Sequence, residues 1–314
     1  MSTPRQRVIA VVGPTAAGKS ELSLRLAEAL DGEVVNVDSM QLYRGMDIGT
    51  AKLSPAERRG VPHHLLDIWD VTERASVAEY QRLARTAVDD IHARGRTPLL
   101  VGGTGLYLRA VLEDFRFPGT DPQVRAALEA ELTQIGPAAL HARLTEQDRA
   151  AAAAILPSNG RRIVRALEVI AITGRPFAAS LPDPAPVYPS TIIGVDRDPA
   201  ELDERVAARV DLMWRAGLVE EVRTLVARGL RDGRTASRAL GYQQLLAAFA
   251  GEHDEDAARD ETVRATRRFV RRQRSWFRRD QAIVWLDAAR ADLAEAALAA
   301  LADRTGAVPG PVGR

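Results

Sequence analysis

Several classes of protein are excluded by what this sequence lacks. It contains no cysteine, which excludes disulfide bonds, thiolate zinc sites and cysteine nucleophiles. It has no uncharged apolar run near the roughly 20 residues that span a bilayer, and its first apolar segment, residues 8–12, is too brief for the core of a signal peptide. The composition, 46% apolar and 27% charged, is typical of a folded globular protein. We therefore expect a cytoplasmic protein with no membrane partner.

The charges nearly cancel over the chain but are unevenly distributed. The 43 lysines and arginines and the 42 acidic residues leave a net charge of +1, which alone does not favour a nucleic-acid ligand. Between Thr262 and Arg279, however, eight arginines occur with no acidic residue. A helix face that is merely solvated usually carries both signs, whereas this segment is wholly positive and favours contact with RNA.

Short apolar segments typical of strands alternate with helix-like segments in the first hundred residues. Strands are predicted at 8–12, 33–37 and 97–101, and helices at 21–30 and 77–92. Strands separated by helices pair in parallel through right-handed crossovers. The pattern predicts an α/β protein with a parallel sheet.

The pattern then changes to long helical stretches. Residues 121–172 are predicted to be helical, with breaks at Gly136-Pro137 and at 157–160, and a strand is expected at 190–195. From residue 199 onward the chain is predicted to be helical.

Two exceptions are expected in that last part, a strand at 282–286 and a frayed tail at 306–314. This organisation predicts a catalytic core of residues 1–116 and 184–314 that ends in basic helices. Residues 117–183 are predicted to form a helical insertion domain.

One motif identifies a phosphate site. The eight residues after the first strand match the phosphate-binding loop G-x-x-x-x-G-K-[ST] at every fixed position, and a helix follows, as the motif requires. They are Gly13, Pro14, Thr15, Ala16, Ala17, Gly18, Lys19 and Ser20. Glycines let backbone N–H groups surround a phosphate, Lys19 supplies a positive charge, and the Ser20 hydroxyl suits a magnesium ion. The fold expected around such a loop is that of the P-loop NTPases.

The acid that should accompany the loop lies in an unusual place. A loop NTPase typically has an Asp at the end of a further apolar strand, but the strand at 97–101 leads into Gly102-Gly103-Thr104. Asp38 instead follows the second strand. Because the ends of parallel strands meet at one crevice, Lys19, Ser20, Asp38 and Thr104 are expected in one site.

Taken with further blocks, the sequence resembles the tRNA dimethylallyltransferases over nearly its whole length. The blocks that carry the resemblance are residues 13–20, 38–52, 62–67, 101–107 and 161–169, Gly241-Tyr242, Arg271-Arg272-Gln273 and Trp276-Phe277. Members of this family transfer an isopentenyl group to N6 of the adenosine at position 37 of tRNA, just 3′ of the anticodon. Two departures are mild, since Ser20 stands where many members have Thr and Arg replaces Lys in much of the basic segment.

The resemblance implies a role for each part of the site. The loop would hold the diphosphate of dimethylallyl diphosphate, with Mg²⁺ at Ser20, as a leaving group. Asp38 would act as the general base, and Lys19 and Arg209 would neutralise the diphosphate. The expected partners are tRNA and dimethylallyl diphosphate, and the enzyme is expected to be a monomer.

The resemblance also implies tRNA contacts, and it matches the predicted insertion to a helical domain that closes on the anticodon arm. The matching positions are Asp38, Ser39, Met40, Gln41, Thr104, Arg125, Arg161, Arg162, Arg165, Arg271, Arg272 and Gln273.

These roles suit the residues, although alternatives stay open. An ionised carboxylate can take the proton of a weakly nucleophilic adenine amine, but Asp38 could instead cap a turn or accompany the magnesium ion. Arg209 could be an exposed helix charge that pairs with Asp203 or Glu204. The target base must be splayed out of an RNA loop, which gives the basic segment a task.

Two other functions fit part of the sequence. A small-molecule kinase would use the same loop to hold ATP, but it leaves the basic segment and the insertion without a role. An RNA-binding module with a vestigial loop leaves the complete loop and Asp38 unexplained. The prenyl transfer is the interpretation that uses all these features.

Overall fold

The computed structural model describes residues 7–115, 117–177 and 185–303. The chain forms two compact units, a core unit of Met1–Leu112 with Pro186–Arg314 and a helical unit of Glu113–Ala185. The predicted boundaries at 116/117 and 183/184 and the predicted tail at 306–314 involve positions outside the described residues. The predicted domain assignment therefore stays a prediction.

The core unit is built on a six-stranded sheet in which every pair of neighbouring strands is parallel. The strands are β1 (Val8–Val12), β2 (Gly32–Asn36), β3 (His63–His64), β4 (Thr97–Gly102), β5 (Ser190–Asp196) and β6 (Val284–Asp287). Their order across the sheet is β3-β2-β4-β1-β5-β6. β1 and β2 are buried along their whole length, as expected for strands covered on both faces. The predicted parallel α/β architecture is confirmed.

Helices cover both faces of this sheet and make up the helical unit. In the core unit they are α1 (Lys19–Ala29), α2 (Val77–Ala93), α3 (Gly105–Leu112), α7 (Pro199–Arg215), α8 (Leu218–Ala227), α9 (Tyr242–Phe249), α10 (Glu255–Phe277) and α11 (Leu293–Asp303). In the helical unit they are α4 (Pro122–Gln147), α5 (Arg149–Ala154) and α6 (Gly160–Thr173). Two 3₁₀ helices, Leu230–Asp232 and Ala236–Arg238, join α8 to α9. No helix among the described residues is both long and apolar enough to cross a membrane.

The helical unit has its own apolar core, formed by buried residues such as Leu140, Leu144 and Ile163. The predicted break at Gly136-Pro137 is a kink inside α4, where Gly136 has a φ of 79°. Glycine adopts this conformation without a side-chain clash. The predicted break at 157–160 separates α5 from α6, and the Asn159 side chain accepts a hydrogen bond from the Arg162 N–H at the start of α6.

The carboxyl ends of four strands bring the loops of the site together. β1 leads into the phosphate loop at Gly13, and β2, β4 and β5 end beside it. A side chain at Gly13 would place its Cβ 2.1 Å from the Val195 carbonyl oxygen of β5. Glycine is therefore required for the loop to pass so close to its neighbouring strand.

Candidate active site

The phosphate loop is held in shape by hydrogen bonds to its carbonyl oxygens. Lys19 Nζ donates to the Pro14 carbonyl at 2.8 Å, and the Ala17 N–H donates to the same oxygen at 3.3 Å. Arg205 Nε of α7 donates to the Ala16 carbonyl at 2.9 Å. Ala16 itself has a φ of 69°, which a non-glycine residue adopts only when its surroundings enforce it.

The loop leaves backbone donors open toward an anion. Among the described residues, the N–H groups of Gly18, Lys19 and Ser20 have no hydrogen-bond partner, as is usual at the first turn of a helix. These N–H groups form the positive end of the α1 dipole, where a phosphate is favoured. A cavity of about 370 Å³ adjoins them, lined by Ala16, Gly18, Lys19, Ser20, Glu21, Arg205, Ala208, Arg209 and Leu212.

Lys19 and Arg209 form a cationic pair at this cavity. Burial and the nearby Arg209 together lower the pKa of Lys19 to about 8, against the opposing effect of the Asp38 carboxylate. Burial also lowers the pKa of Arg209, against the opposing effect of Asp38. Two cations held close together without a buried counterion of equal charge favour a polyanionic ligand.

The two oxygens of the Asp38 carboxylate differ in their hydrogen bonding. Its Oδ1 accepts a hydrogen bond from the Met40 N–H at 2.9 Å, so the turn-capping role considered from the sequence is present. Its second oxygen has no hydrogen-bond partner within the described part of the chain. The carboxylate also acts electrostatically on Lys19, Arg209 and Tyr107, whose pKa values it raises. Capping fixes one oxygen and leaves the other available for a proton.

Arg209 is directed into the site by the loop that follows Asp38. Its Nη2 donates to the Thr50 carbonyl at 3.3 Å, and Gln41 Nε2 donates to the same oxygen at 3.1 Å. Asp203, one of the acids with which an exposed Arg209 could have paired, accepts from Arg271 instead. The structure therefore favours the cavity-lining role of Arg209.

A carboxylate that the sequence analysis missed holds this loop. Glu221 of α8 accepts from the N–H groups of Asp47, Ile48 and Gly49 at 3.1, 2.7 and 3.2 Å. The Tyr242 hydroxyl donates to the same carboxylate at 2.6 Å. The Tyr242 ring packs so closely on the loop that a Cβ at Gly49 would lie 2.5 Å from it. No local sequence signal marks Glu221, because the three N–H groups that it holds lie more than 170 residues away.

The remaining wall of the site is the turn after β4. Thr104 Oγ1 accepts from the Ser39 N–H at 3.4 Å. Lys19, Ser20, Asp38 and Thr104 were expected in one site because they follow the ends of parallel strands. In the structure each lies in or next to an element that meets at this edge of the sheet.

Comparison with known proteins identifies the family. The model of the IPP transferase family matches residues 41–280. The tRNA dimethylallyltransferase of Salinispora arenicola is 73% identical over 94% of this chain and 86% of its own length, and that of Thermobifida fusca is 63% identical over 95% of each chain. This chain belongs to the IPP transferase family.

Solved structures agree with that membership. The tRNA isopentenylpyrophosphate transferase of Bacillus halodurans is 41% identical, with a TM-score of 0.71 over 96% of both chains. A eukaryotic dimethylallyltransferase described as acting on tRNA is 25% identical, with a TM-score of 0.81 over 98% of this chain and 82% of its own. The predictions of this family, of a P-loop NTPase-like fold and of a prenyl-transferring enzyme are confirmed.

In this IPP transferase the basic segment forms the second half of α10, and acids from other elements meet many of its arginines. Arg274 Nε and Arg278 Nη2 donate to Asp196 at 3.0 and 2.8 Å. Arg271 pairs with Asp203 at 3.2 Å yet stays 63% exposed. The segment has no acidic residue of its own, but the fold brings acids from other elements next to it. The surface of the basic segment is therefore less positive than its sequence indicates.

The predicted tRNA contacts of the helical unit divide into two groups. Arg161 and Arg162 are exposed at the start of α6. Arg125 and Arg165 instead pair with the fully buried Glu168. Arg165 also donates to the carbonyls of residues 118 and 119, at 2.6 and 3.0 Å. The tRNA roles of all four stay predictions, and the structure gives the second pair a task within the unit.

Two predicted contacts are already engaged within the core unit. Met40 is partly buried against the core. Gln273 is 6% exposed, although its neighbours Arg271 and Arg272 are exposed. A buried amide is poorly placed to touch RNA.

Proposed function

We propose that this IPP transferase moves the dimethylallyl group of dimethylallyl diphosphate to N6 of the adenosine at position 37 of tRNA, giving N6-isopentenyladenosine and diphosphate. The observation that carries the proposal is a carboxylate with one open oxygen, Asp38, placed within electrostatic reach of two cations at a phosphate loop. A base and a leaving-group site are the two things that this transfer needs.

The leaving group is assigned to the loop. As the allylic carbon–oxygen bond breaks, its electron pair goes to the diphosphate oxygen. The open N–H groups of residues 18–20 and the cations Lys19 and Arg209 meet the charge that develops there. Fixed donors aimed at developing charge are commonly the largest catalytic contribution.

The nucleophile is assigned to the Asp38 side of the site. The N6 lone pair forms the new bond to the allylic carbon, and the proton of N6 passes to the open carboxylate oxygen. The hydrogen bond from the Met40 N–H to Oδ1 favours one orientation of the carboxylate, with the second oxygen open. General-base assistance of this kind contributes about 10²–10⁴-fold in rate.

A magnesium ion fits the residues present. Ser20 is exposed at the start of α1 and lines the cavity, and among the described residues its hydroxyl has no partner. Magnesium commonly keeps several waters and takes few protein ligands when phosphates supply the others, so a single hydroxyl suffices. We propose that Ser20 holds this ion, which when bound supplies charge neutralisation to the diphosphate.

The experiment that tests the function is a mass-spectrometric transfer assay. Purified protein is incubated with an unmodified anticodon stem-loop RNA, magnesium and dimethylallyl diphosphate, and a parallel reaction contains ATP instead. We expect one five-carbon unit on adenosine in the first reaction only. No gain in the first reaction, with phosphate transferred in the second, would show that the loop is a kinase loop. The cytoplasmic location and the monomeric state stay predictions.

A further inference from the structure

The side chain of Gln273 joins three elements of the core unit. It lies on the buried face of α10, and its Oε1 accepts from the Thr15 N–H of the phosphate loop at 2.9 Å. Its Nε2 donates to the Gly103 carbonyl after β4 at 2.9 Å. Both ends of the amide are therefore engaged by backbone groups that belong to the site.

The contact with the turn after β4 is unusually close. A Cβ on residue 103 would lie 2.2 Å from Gln273 Nε2, so any larger residue there would displace the amide. A glycine on one side and a buried amide on the other make a fitted contact. The sequence gave no sign of this contact, because Gln273 lies between Arg272 and Arg274 in the basic segment.

The two backbone partners of Gln273 lie on opposite sides of the proposed reaction. Thr15 belongs to the loop that holds the diphosphate. Gly103 precedes Thr104, whose hydroxyl accepts from the Ser39 N–H next to Asp38. We propose that Gln273 is a positioning residue that fixes the phosphate loop relative to the turn beside Asp38, rather than a tRNA contact. The proposal rests on the function proposed above.

A carboxamide is the side chain that suits this task. It offers one acceptor and one donor at fixed separation in a neutral group, as the Thr15 N–H and the Gly103 carbonyl require. A glutamate would set a second oxygen against the Gly103 carbonyl and add negative charge beside a diphosphate. A methionine would fill the same space and make neither hydrogen bond.

The test compares Gln273→Met with Gln244→Met. Gln244 is a matched control because it is also 6% exposed and also accepts a backbone hydrogen bond, from the Gly241 N–H at 2.9 Å, but it lies in α9. Calorimetry gives the Kd for inorganic pyrophosphate, and a gel shift gives the Kd for the anticodon stem-loop. We expect Gln273→Met to raise the Kd for pyrophosphate about tenfold, which is the size of the effect when a buried donor loses its hydrogen-bond partner. We expect the stem-loop Kd to change less than about twofold, and neither Kd to change in Gln244→Met.

A second variant reaches the same contact from its other side. Gly103→Ala should displace the Gln273 amide and raise the KM for dimethylallyl diphosphate by about the same factor as Gln273→Met, with the folded structure checked by circular dichroism. Loss of stem-loop affinity with unchanged pyrophosphate affinity would overturn the proposal in favour of a tRNA contact. Unchanged values of both would reduce Gln273 to a packing residue. If the wild-type protein fails the transfer assay, the proposed function fails instead.

Discussion

Glu168 and Asp38 are carboxylates that each lie near two cations, and the fold engages them in opposite ways. Glu168 of the helical unit is fully buried, and Arg125 and Arg165 both pair with it. Asp38 of the core unit uses one oxygen for a backbone cap and keeps the other open, while Lys19 and Arg209 stay near it without a direct ion pair. The first arrangement satisfies every group and stabilises a fold. The second leaves charge unsatisfied, which is what binding and catalysis require.

In a protein rich in arginine, the partners of each arginine distinguish structural cations from those at a binding site. Paired arginines, such as Arg274 and Arg278 with Asp196, stabilise the packing of α10 on the sheet. Among the described residues, by contrast, the hydrogen-bond partner of Arg209 is a carbonyl oxygen, that of Thr50, at 3.3 Å. A cation left with a neutral partner at a cavity indicates a missing anion more reliably than a run of basic residues does.

The largest effect on stability is expected at Glu168. Glu168→Gln removes the buried charge that two partly buried arginines share, and breaking such a pair costs about 3 kcal/mol. Hydrogen bonds from both arginines lower the pKa of Glu168 against the opposing effect of burial. Its stabilising contribution is therefore present at neutral pH and is lost as the pH falls through that lowered pKa.

Thermal unfolding as a function of pH measures this effect. Glu131→Gln serves as the control, since Glu131 pairs with Arg143 in the same unit but more than a quarter of its side chain is exposed. Equal unfolding temperatures for the two variants would mean that the Glu168 cluster does not stabilise the helical unit.

An intermediate effect is expected from the lowered pKa of Lys19. With a pKa of about 8 in the free protein, Lys19 is charged below that pH and loses its proton above it. Pyrophosphate binding should therefore weaken by up to about tenfold per pH unit above 8, since binding must restore the proton.

Calorimetry on wild type and on Lys19→Met separates this effect from the ionisation of pyrophosphate itself. The variant should bind weakly and show only the slope of the ligand. Parallel profiles for both proteins would show that Lys19 does not govern the dependence.

The smallest effect is expected for a single predicted tRNA contact, compared with another arginine of the same helix. Arg271→Ala removes an arginine that is 63% exposed, and it should weaken stem-loop binding a few-fold and lower its salt slope by about one. Arg264→Ala is the matched control on the same helix, since Arg264 is 58% exposed and pairs with Glu261. Salt titrations of binding decide the matter, and an unchanged slope for Arg271→Ala would place Arg271 off the RNA path.

Much of the fold was predictable because local patterns carry it. β1 has the bounds that its apolar run predicts, and the predicted breaks at Gly136 and at 157–160 fall where a glycine and a capped helix start impose them. β3 was missed because it is only two residues long, and what defines it is its parallel pairing with β2 rather than a local pattern. The short break at Asp148 between α4 and α5 was also missed, since alanine-rich sequence surrounds it.

The site was predictable only where a motif is contiguous. The loop at 13–20 and Asp38 follow from strand ends, and Arg209 entered only through the family resemblance. Glu221 and the amide of Gln273 act through backbone groups distant in sequence, and no local pattern records such partners. The acids that pair with arginines of the basic segment come from β5 and α7, and they were not predicted for the same reason.

In the proposed mechanism the open oxygen of Asp38 takes the proton of N6, while its other oxygen only shapes the turn. Single-turnover transfer by Asp38→Asn, with RNA and dimethylallyl diphosphate both saturating, tests this division between the two oxygens. The asparagine oxygen can still accept from the Met40 N–H, so we expect the rate to fall by about 10² or more. We also expect the variant to have a stem-loop Kd and an unfolding temperature close to those of the wild type. A rate near that of the wild type, or a loss of binding as large as the loss of rate, would contradict this mechanism.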